Sequence, residues 1–320
     1  MLLVVFGHAF GAFAYAQSGV TVFFALSGFL ITSVLIRQDY TLREFYVRRA
    51  KRLVPALVLL VGVFLVVAGV QNWIGLWWDA SWPALTYTAS FVLSARGEMW
   101  YMSHAWSLAV EEHFYLVWPL VFGFFHERRP RAIFLALGVA LAWRVGLNFG
   151  DPIRAYYSSD GNAFAILAGC ALALVHARRP VRVAPITGSV GLAALVCLGL
   201  VSLSGSHNIL RSAAWLPLAS CAVAVIVVAA CLSGAQPLLE PRWLRWFGTI
   251  SYGLYLWHFV LIYMYPDAAL VVAVASVPIA AASWYLWERR WLRRPGRPPR
   301  SEHRIDGALA TYETGPSSRS

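Results

Sequence analysis

The chain has 320 residues, of which 59% are hydrophobic and 13% are charged, and its mean hydropathy is +0.62. A soluble domain carries about a quarter of charged residues, so this composition excludes a soluble enzyme and predicts an integral membrane protein. The formal net charge of +11 does not indicate nucleic-acid binding, because the Arg residues cluster in short segments between apolar runs, as in cytoplasmic loops. We therefore expect the lipid bilayer, and no nucleic acid, among the partners.

Apolar runs long enough to cross ~30 Å of hydrocarbon recur along the chain. The predicted spans lie at about residues 1–14, 19–36, 53–71, 105–125, 132–149, 160–177, 185–204, 211–232, 249–265 and 268–287. Every second connecting segment is rich in Arg, which predicts that both termini are cytoplasmic. We therefore expect an all-α fold, a polytopic membrane helix bundle of about ten transmembrane helices.

Two segments are expected to lie outside these spans. The run from Trp82 to Ala95 is too short to cross and is predicted to be interfacial or re-entrant. Residues 291–320 are rich in Arg, Pro, Gly and Ser and lack apolar periodicity. They predict a disordered, basic cytoplasmic tail that follows a membrane domain of residues 1–290.

The cysteines indicate neither a disulfide nor a metal site. All of them lie within apolar stretches and none forms a CxxC pair, so we interpret them as small buried hydrophobic residues. They are Cys170, Cys197, Cys221 and Cys231.

Ionisable side chains inside the spans are the first candidates for chemistry, because they are costly at membrane depth. His8 lies in the first span, and Glu111, Glu112 and His113 lie in the fourth. His8 and Glu111 are each about 9 Å from the outer end of their predicted spans, so they are expected to meet, with the carboxylate orienting the imidazole as a base. The alternative, with equal weight, is a pair that only packs helices. The two glutamates point about 100° apart, so only one is expected to face the site.

A basic cluster lies at the inner mouth of the third span. It contains Arg48, Arg49, Lys51 and Arg52, and Arg48 shares a helical face with Arg52. Because Arg binds phosphate through two donors at once, a phosphate clamp is one interpretation. Judged by charge alone, ordinary positive-inside charge against anionic lipid is favoured about two to one.

Other spans carry further polar residues. Ser27 and Gly28 favour close helix packing in the second span. In the ninth span, Tyr255 and His258 are three residues apart and face the same way; His258 is a second candidate site residue, although a packing histidine is the commoner case. Trp106 belongs to an aromatic collection that is either an interfacial belt or an acceptor site.

Six segments, taken in order, resemble one known family. They are LVVFGH ending at His8, GVTVFFALSGFLIT, FYVRRAKRLVPAL, HAWSLAVEEHFYLVWPL, GTISYGLYLWHF and YLWERRWL from Tyr285. Together they resemble acyltransferase family three, integral membrane O-acyltransferases that modify sugars, polysaccharides and macrolides, and the resemblance covers most of the chain. It implies transfer of an acyl group, commonly acetyl, from acyl-CoA to a hydroxyl of a saccharide or macrolide acceptor, with no permanently bound cofactor.

The resemblance also implies roles for individual residues. His8 would be the catalytic histidine, and Glu111 or Glu112 its acidic companion. The residues near the CoA phosphates would be Arg48, Arg49 and Arg52. The candidates for substrate binding are Ser27, Trp106, Tyr255 and His258.

Two features depart from the family's pattern. The family usually has an Arg upstream of the histidine that corresponds to His8. This sequence does not include it, so we expect either a longer amino-terminal segment or an impaired protein. Asn162 and Phe164 stand where the family often has an Arg and an Asp, which suggests an unusual acceptor.

Two other classes of function stay open. A transporter or flippase of an acyl or saccharide carrier would use intramembrane His and Glu as a proton relay. A scaffold subunit would use the same polar groups only to pack helices. Because a transporter leaves the thioester of acyl-CoA intact, consumption of acyl-CoA separates it from the enzyme. In each case we expect a multi-pass protein of a bacterial cell membrane.

Overall fold

The computed structural model describes residues 1–11, 13–37, 41–99, 101–128, 131–184, 186–204, 209–234 and 236–292, and within them every regular element is helical. In chain order the α-helices are α1 (Leu2–Ala9), α2 (Phe13–Arg37), α3 (Leu42–Val70), α4 (Ile74–Leu85), α5 (Ala89–Arg96), α6 (Ala105–Gly123), α7 (Ala132–Gly150), α8 (Pro152–Tyr157), α9 (Ser159–Arg178), α10 (Ile186–Ser204), α11 (Ile209–Ser233), α12 (Arg242–Met264), α13 (Ala269–Ala282) and α14 (Arg289–Leu292). Two π-helical turns, Phe124–Arg128 and Ser283–Glu288, extend α6 and α13. The predicted all-α fold is confirmed.

Among the described residues, eight helical segments are long and apolar enough to cross a membrane. They contain α2, α3, α6, α7, α9, α11, α12 and α13. Each corresponds to a predicted span, which confirms a polytopic membrane bundle. The other two predicted spans correspond to α10, which has 19 residues, and α1, which has eight. The count of ten and the cytoplasmic termini remain predictions.

The first predicted span is corrected at its end. Instead of continuing to residue 14, α1 ends at Ala9, and α2 already begins at Phe13. Gly11 has a φ of +67°, a conformation that glycine adopts without steric cost. The turn therefore places His8 one residue from the end of its helix.

The segment from Trp82 to Ala95 does not form one continuous helix. It is divided between α4 and α5, which have 12 and 8 residues. At ~1.5 Å per residue they are about 18 and 12 Å long, too short for the ~30 Å hydrocarbon layer. The prediction that this segment is not a spanning helix is confirmed. Most of the predicted tail, residues 293–320, lies outside the described residues.

The buried side chains form two main clusters. One is built largely from α2, α6 and α9, and the other from α3, α4, α6 and α12. Helix α6 contributes to both, through Trp106 to the first and Leu108 to the second. It therefore lies between two halves of the bundle, and polar groups on it can contact both.

Helices α2 and α9 cross with their backbones in contact. A Cβ atom on Gly28 would lie 2.0 Å from the carbonyl oxygen of Ile166, and one on Gly169 would lie 1.9 Å from that of Ala25. These distances leave no room for a side chain. The expected role of Gly28 in close helix packing is confirmed, and small residues provide such contacts in membrane bundles generally.

Replacing Gly169 with Ala should push α2 and α9 apart. We expect the free energy of unfolding to fall by about 3 kcal/mol, the upper part of the usual range for overpacking. Thermal unfolding of the purified protein in detergent measures this. The control is Gly138→Ala on the exposed face of α7, where a Cβ would meet nothing within 4 Å. Equal melting temperatures for the two variants would show that the crossing tolerates a methyl group.

Candidate active site

Glu111 and Glu112 connect α6 to both halves of the bundle. The hydroxyl of Ser27 on α2 donates to Oε1 of Glu111 at 2.7 Å. From α3, Arg49 donates to Oε1 of Glu112 through Nε at 3.0 Å and Nη2 at 2.8 Å, and its Nη2 lies 3.9 Å from Oε2 of Glu111. The guanidinium also lies 3.0 Å from the ring centroid of Tyr115. We call these five residues the glutamate junction.

The expectation that only one of the two glutamates faces a common point is wrong. Their side chains leave the helix about 100° apart, yet both carboxylates lie within 3.9 Å of Nη2 of Arg49. Each side chain is long enough to turn toward a cation that a neighbouring helix places between them. Both carboxylates therefore belong to one charged cluster, and each also contacts a neighbouring helix.

Two histidines, His8 on α1 and His258 on α12, form a hydrogen-bonded pair apart from this junction. Nδ1 of His8 lies 3.0 Å from Nε2 of His258, and Nδ1 of His258 lies 2.9 Å from the carbonyl oxygen of Leu254. A carbonyl only accepts, so the proton of His258 is on Nδ1, and its Nε2 accepts the proton of Nδ1 of His8. Neutral His8 then has its lone pair on Nε2, where it can take a proton from a hydroxyl.

The structure gives His8 a different partner from the predicted carboxylate. The described contacts of its ring are with His258 and Phe259, whereas Glu111 bonds to Ser27. The prediction placed His8 six residues inside its span. Because α1 ends at Ala9, His8 lies near the helix end, and the ring that it meets there is that of His258. His258, through its bond to the backbone, has the orienting role that was expected of a carboxylate.

A third histidine, which the sequence reasoning missed, lies beside this pair. His104 immediately precedes α6, and its ring centroid is 6.0 Å from that of His258 and 4.8 Å from that of Phe259. The hydroxyl of Tyr255 donates to the carbonyl oxygen of His104 at 2.5 Å and lies 2.6 Å from Oγ of Ser107. Spacing along the chain gave no signal for His104, because its neighbours in space come from α12, about 150 residues away.

The other predicted positions fall into packed surroundings. Trp106 is buried, with its ring centroid 5.3 Å from that of Tyr156 and 6.0 Å from that of Phe24; a role in substrate binding stays a prediction. Nδ2 of Asn162 donates to the carbonyl oxygens of Tyr156 and Ser158 at 2.8 and 2.9 Å. Asn162 thus stabilises the link between α8 and α9.

The basic cluster lies in the first turns of α3. This helix begins at Leu42 because Thr41 and Glu44 form a capping box. Arg48 is partly exposed and Arg52 is exposed, whereas Arg49 is bound by the carboxylates of the glutamate junction. The three arginines therefore lie in two different environments.

Two hydrogen bonds fasten α3 to the carboxyl-terminal part of the bundle next to Arg52. The hydroxyl of Tyr252 on α12 donates to the carbonyl oxygen of Leu53 at 3.1 Å. Nε1 of Trp287 donates to the carbonyl oxygen of Pro55 at 3.0 Å. Tyr252 lies six residues before His258, about 9 Å along α12. Because Tyr252 contacts the residue that follows Arg52, the level of Arg52 in the bundle is about 9 Å from that of His258.

Replacing Glu112 with Gln should destabilise the glutamate junction, because Arg49 loses its closest counter-ion where its side chain is only 20% exposed. We expect the free energy of unfolding to fall by about 2 kcal/mol, less than for a fully buried pair. The matched control is Glu98→Gln at an exposed position. The role of the ion pair is refuted if the two variants melt at the same temperature.

Known proteins resemble this chain over most of its length. It is 30% identical over 293 residues to the peptidoglycan O-acetyltransferase OatA of Listeria monocytogenes, covering 78% of the chain and 46% of that protein. It is 32% identical to the putative peptidoglycan O-acetyltransferase YrhL of Bacillus subtilis (76% and 44% covered) and 29% identical to the O-acetyltransferase OatA of Staphylococcus aureus (76% and 45% covered). The chain spans less than half the length of these relatives. No solved structure matches it.

The family model described as an acyltransferase domain matches residues 1–287, which include both the glutamate junction and the histidines. The relatives are bacterial proteins, and the apolar helices make this chain a multi-pass membrane protein. The resemblance seen in the six sequence segments is confirmed: the chain belongs to acyltransferase family three.

Proposed function

We propose that this protein transfers an acetyl group from acetyl-CoA to a hydroxyl of a saccharide acceptor at the membrane. Membership of an acyltransferase family and relatives named as O-acetyltransferases support this reaction. The observation that carries the proposal is the orientation of His8 by His258, which leaves the lone pair of His8 on Nε2.

The proposed reaction uses His8 first as a base and then as an acid. Nε2 takes the proton of the acceptor hydroxyl as the oxygen attacks the thioester carbon of acetyl-CoA. A C–O bond forms, the C–S bond breaks, and the CoA sulfur leaves with the proton that His8 had accepted. His258 stabilises the transient imidazolium, because its Nε2 accepts a hydrogen bond from the Nδ1–H of His8 throughout.

Arg48 and Arg52 are the proposed partners of the CoA phosphates. They share one face of α3 at the predicted cytoplasmic side, where Arg48 is partly exposed and Arg52 is exposed. The level of Arg52 is about 9 Å from that of His258 along α12, a distance that an extended pantetheine arm can bridge. Arg49 contributes indirectly, since the glutamate junction holds it.

A peptidoglycan saccharide is the proposed acceptor, because two relatives are named for peptidoglycan. The histidines lie toward the end of the bundle that is predicted to face outward, opposite the basic cluster. Such an arrangement suits a donor that enters from one side and an acceptor that enters from the other. Macrolides, which the family resemblance also allows, belong in the same acceptor panel.

Replacing His8 with Gln should abolish transfer, because the amide cannot take the hydroxyl proton. We expect kcat to fall by at least about 100-fold. The assay follows labelled acetyl from acetyl-CoA onto peptidoglycan fragments or macrolides in membranes that contain the protein.

The control is His113→Gln, since His113 bonds to Ser159 and stacks on Phe91 away from the pair. Undiminished transfer by a folded His8→Gln variant would contradict the proposed base. Acceptor movement without thioester consumption would favour a transporter.

Replacing Arg48 or Arg52 with Ala should weaken binding of the donor. We expect each change to raise KM for acetyl-CoA about tenfold, the effect of losing one hydrogen bond to a charged group. KM for the acceptor should stay the same. Lys51→Ala on the neighbouring face of α3 serves as the control for general loss of basic charge. Equal effects of the three changes would indicate lipid contact rather than a phosphate site.

A further inference from the structure

His104 has no hydrogen-bond partner for either ring nitrogen among the described residues, although its side chain is buried. The carbonyl group of Leu256 lies near the ring, but no contact with it has acceptable hydrogen-bond geometry. Buried polar groups in folded proteins nearly always have a partner. A buried imidazole with both nitrogens unsatisfied therefore indicates a ligand that is bound during function.

The position of His104 relative to His8 limits what this ligand is. Both rings contact His258 and Phe259: the His8 centroid is 5.2 Å and 4.9 Å away from theirs, and the His104 centroid is 6.0 Å and 4.8 Å away. Tyr255, one turn before His258 on α12, holds the backbone of His104. One helix thus positions two imidazoles around the same small volume.

The hydrogen-bonding groups of the His104 ring distinguish between the acyl donor and the acceptor of the proposed reaction. A neutral imidazole has one N–H donor and one accepting nitrogen. The thioester group has only accepting atoms, so it can pair with the N–H of the imidazole but not with its accepting nitrogen. A hydroxyl both donates and accepts, and it can therefore pair with either nitrogen. Saccharides carry such hydroxyls on adjacent carbon atoms.

We propose that His104 binds a second hydroxyl of the acceptor, next to the hydroxyl that reacts at His8. The proposal rests on the proposed function and names the feature that this site recognises, which is a polyol rather than an isolated alcohol. His104 is then a substrate-binding residue that sets which hydroxyl reaches Nε2 of His8.

Access to His104 requires a side chain to move. The ring of Phe259 stacks on His104 and meets the edge of His8, and it is partly exposed. Phe259 is therefore the side chain whose rotation we expect to admit a ligand to both imidazoles. Phe259 in turn stacks on Tyr263, with ring centroids 6.2 Å apart.

The test combines His104→Phe, which keeps a flat ring of similar size without nitrogens, with His104→Gln, which restores hydrogen bonding. The probes are the disaccharide of N-acetylglucosamine and N-acetylmuramic acid and its singly deoxygenated analogues. Binding is measured by thermal stabilisation without acetyl-CoA, and KM values are measured with it. His113→Phe is the control and should change neither quantity.

We expect His104→Phe to weaken binding of the disaccharide and raise its KM about tenfold, with KM for acetyl-CoA unchanged and partial rescue by His104→Gln. The analogue that lacks the hydroxyl bound by His104 should bind the parent protein about tenfold more weakly than the full disaccharide does. The His104→Phe variant should bind this analogue and the full disaccharide equally well. Three results would overturn the role of His104. They are additive losses of binding from His104→Phe and from every deoxy analogue, an unchanged KM for the disaccharide, and a change in KM for acetyl-CoA alone. Disaccharide binding with this pattern but without transfer would overturn the proposed function and uphold the binding role. A parent protein that neither binds nor acetylates the disaccharide would refute both.

Discussion

One guanidinium held between two carboxylates organises this bundle. Arg49 brings α3 to Glu112 and Glu111, and Ser27 brings α2 to the same pair. Unpaired charges are costly at membrane depth, so α2, α3 and α6 are confined to the arrangement that satisfies these groups. Helix α6 also contributes to both hydrophobic clusters. Its ion pairs and its apolar contacts therefore favour the same position for this helix between the two halves of the bundle. The depth of His104 at the start of α6 follows from that position.

Helix α12 positions the histidines, just as α6 positions the charged side chains of the glutamate junction. Within two turns it supplies the carbonyl of Leu254, the hydroxyl of Tyr255, the imidazole of His258 and the ring of Phe259. These groups come from residues 254–259 of one regular helix, so their relative positions are fixed by helix geometry. The site is thus assembled by attaching α1 and the beginning of α6 to one preformed surface.

The sequence specified the bundle more completely than the site. Apolar runs located the long helices because a hydrocarbon layer requires a minimum length, and the spacing of Tyr255 and His258 placed them on one face, where their rings are 5.8 Å apart. The pairing of His8 could not be obtained in this way. It depended on where α1 ends, which Gly11 decides, and on which helices are lateral neighbours, which rise per residue does not encode. His104 was missed for the same reason, since its significance lies in neighbours from another helix.

The backbone contact of α2 with α9 at Gly28 and Gly169 limits how these two helices can move. A contact through side chains can be rearranged by changing rotamers, but α2 and α9 meet main chain to main chain, so sliding one past the other breaks the contact outright. The pair therefore behaves as a rigid frame. Helix α1 belongs to the same frame, because a Cβ atom on Gly7 would lie 2.6 Å from the backbone nitrogen of Ala16 on α2. Any opening toward the histidines is accordingly left to side chains such as Phe259, which is partly exposed and contacts both His8 and His104.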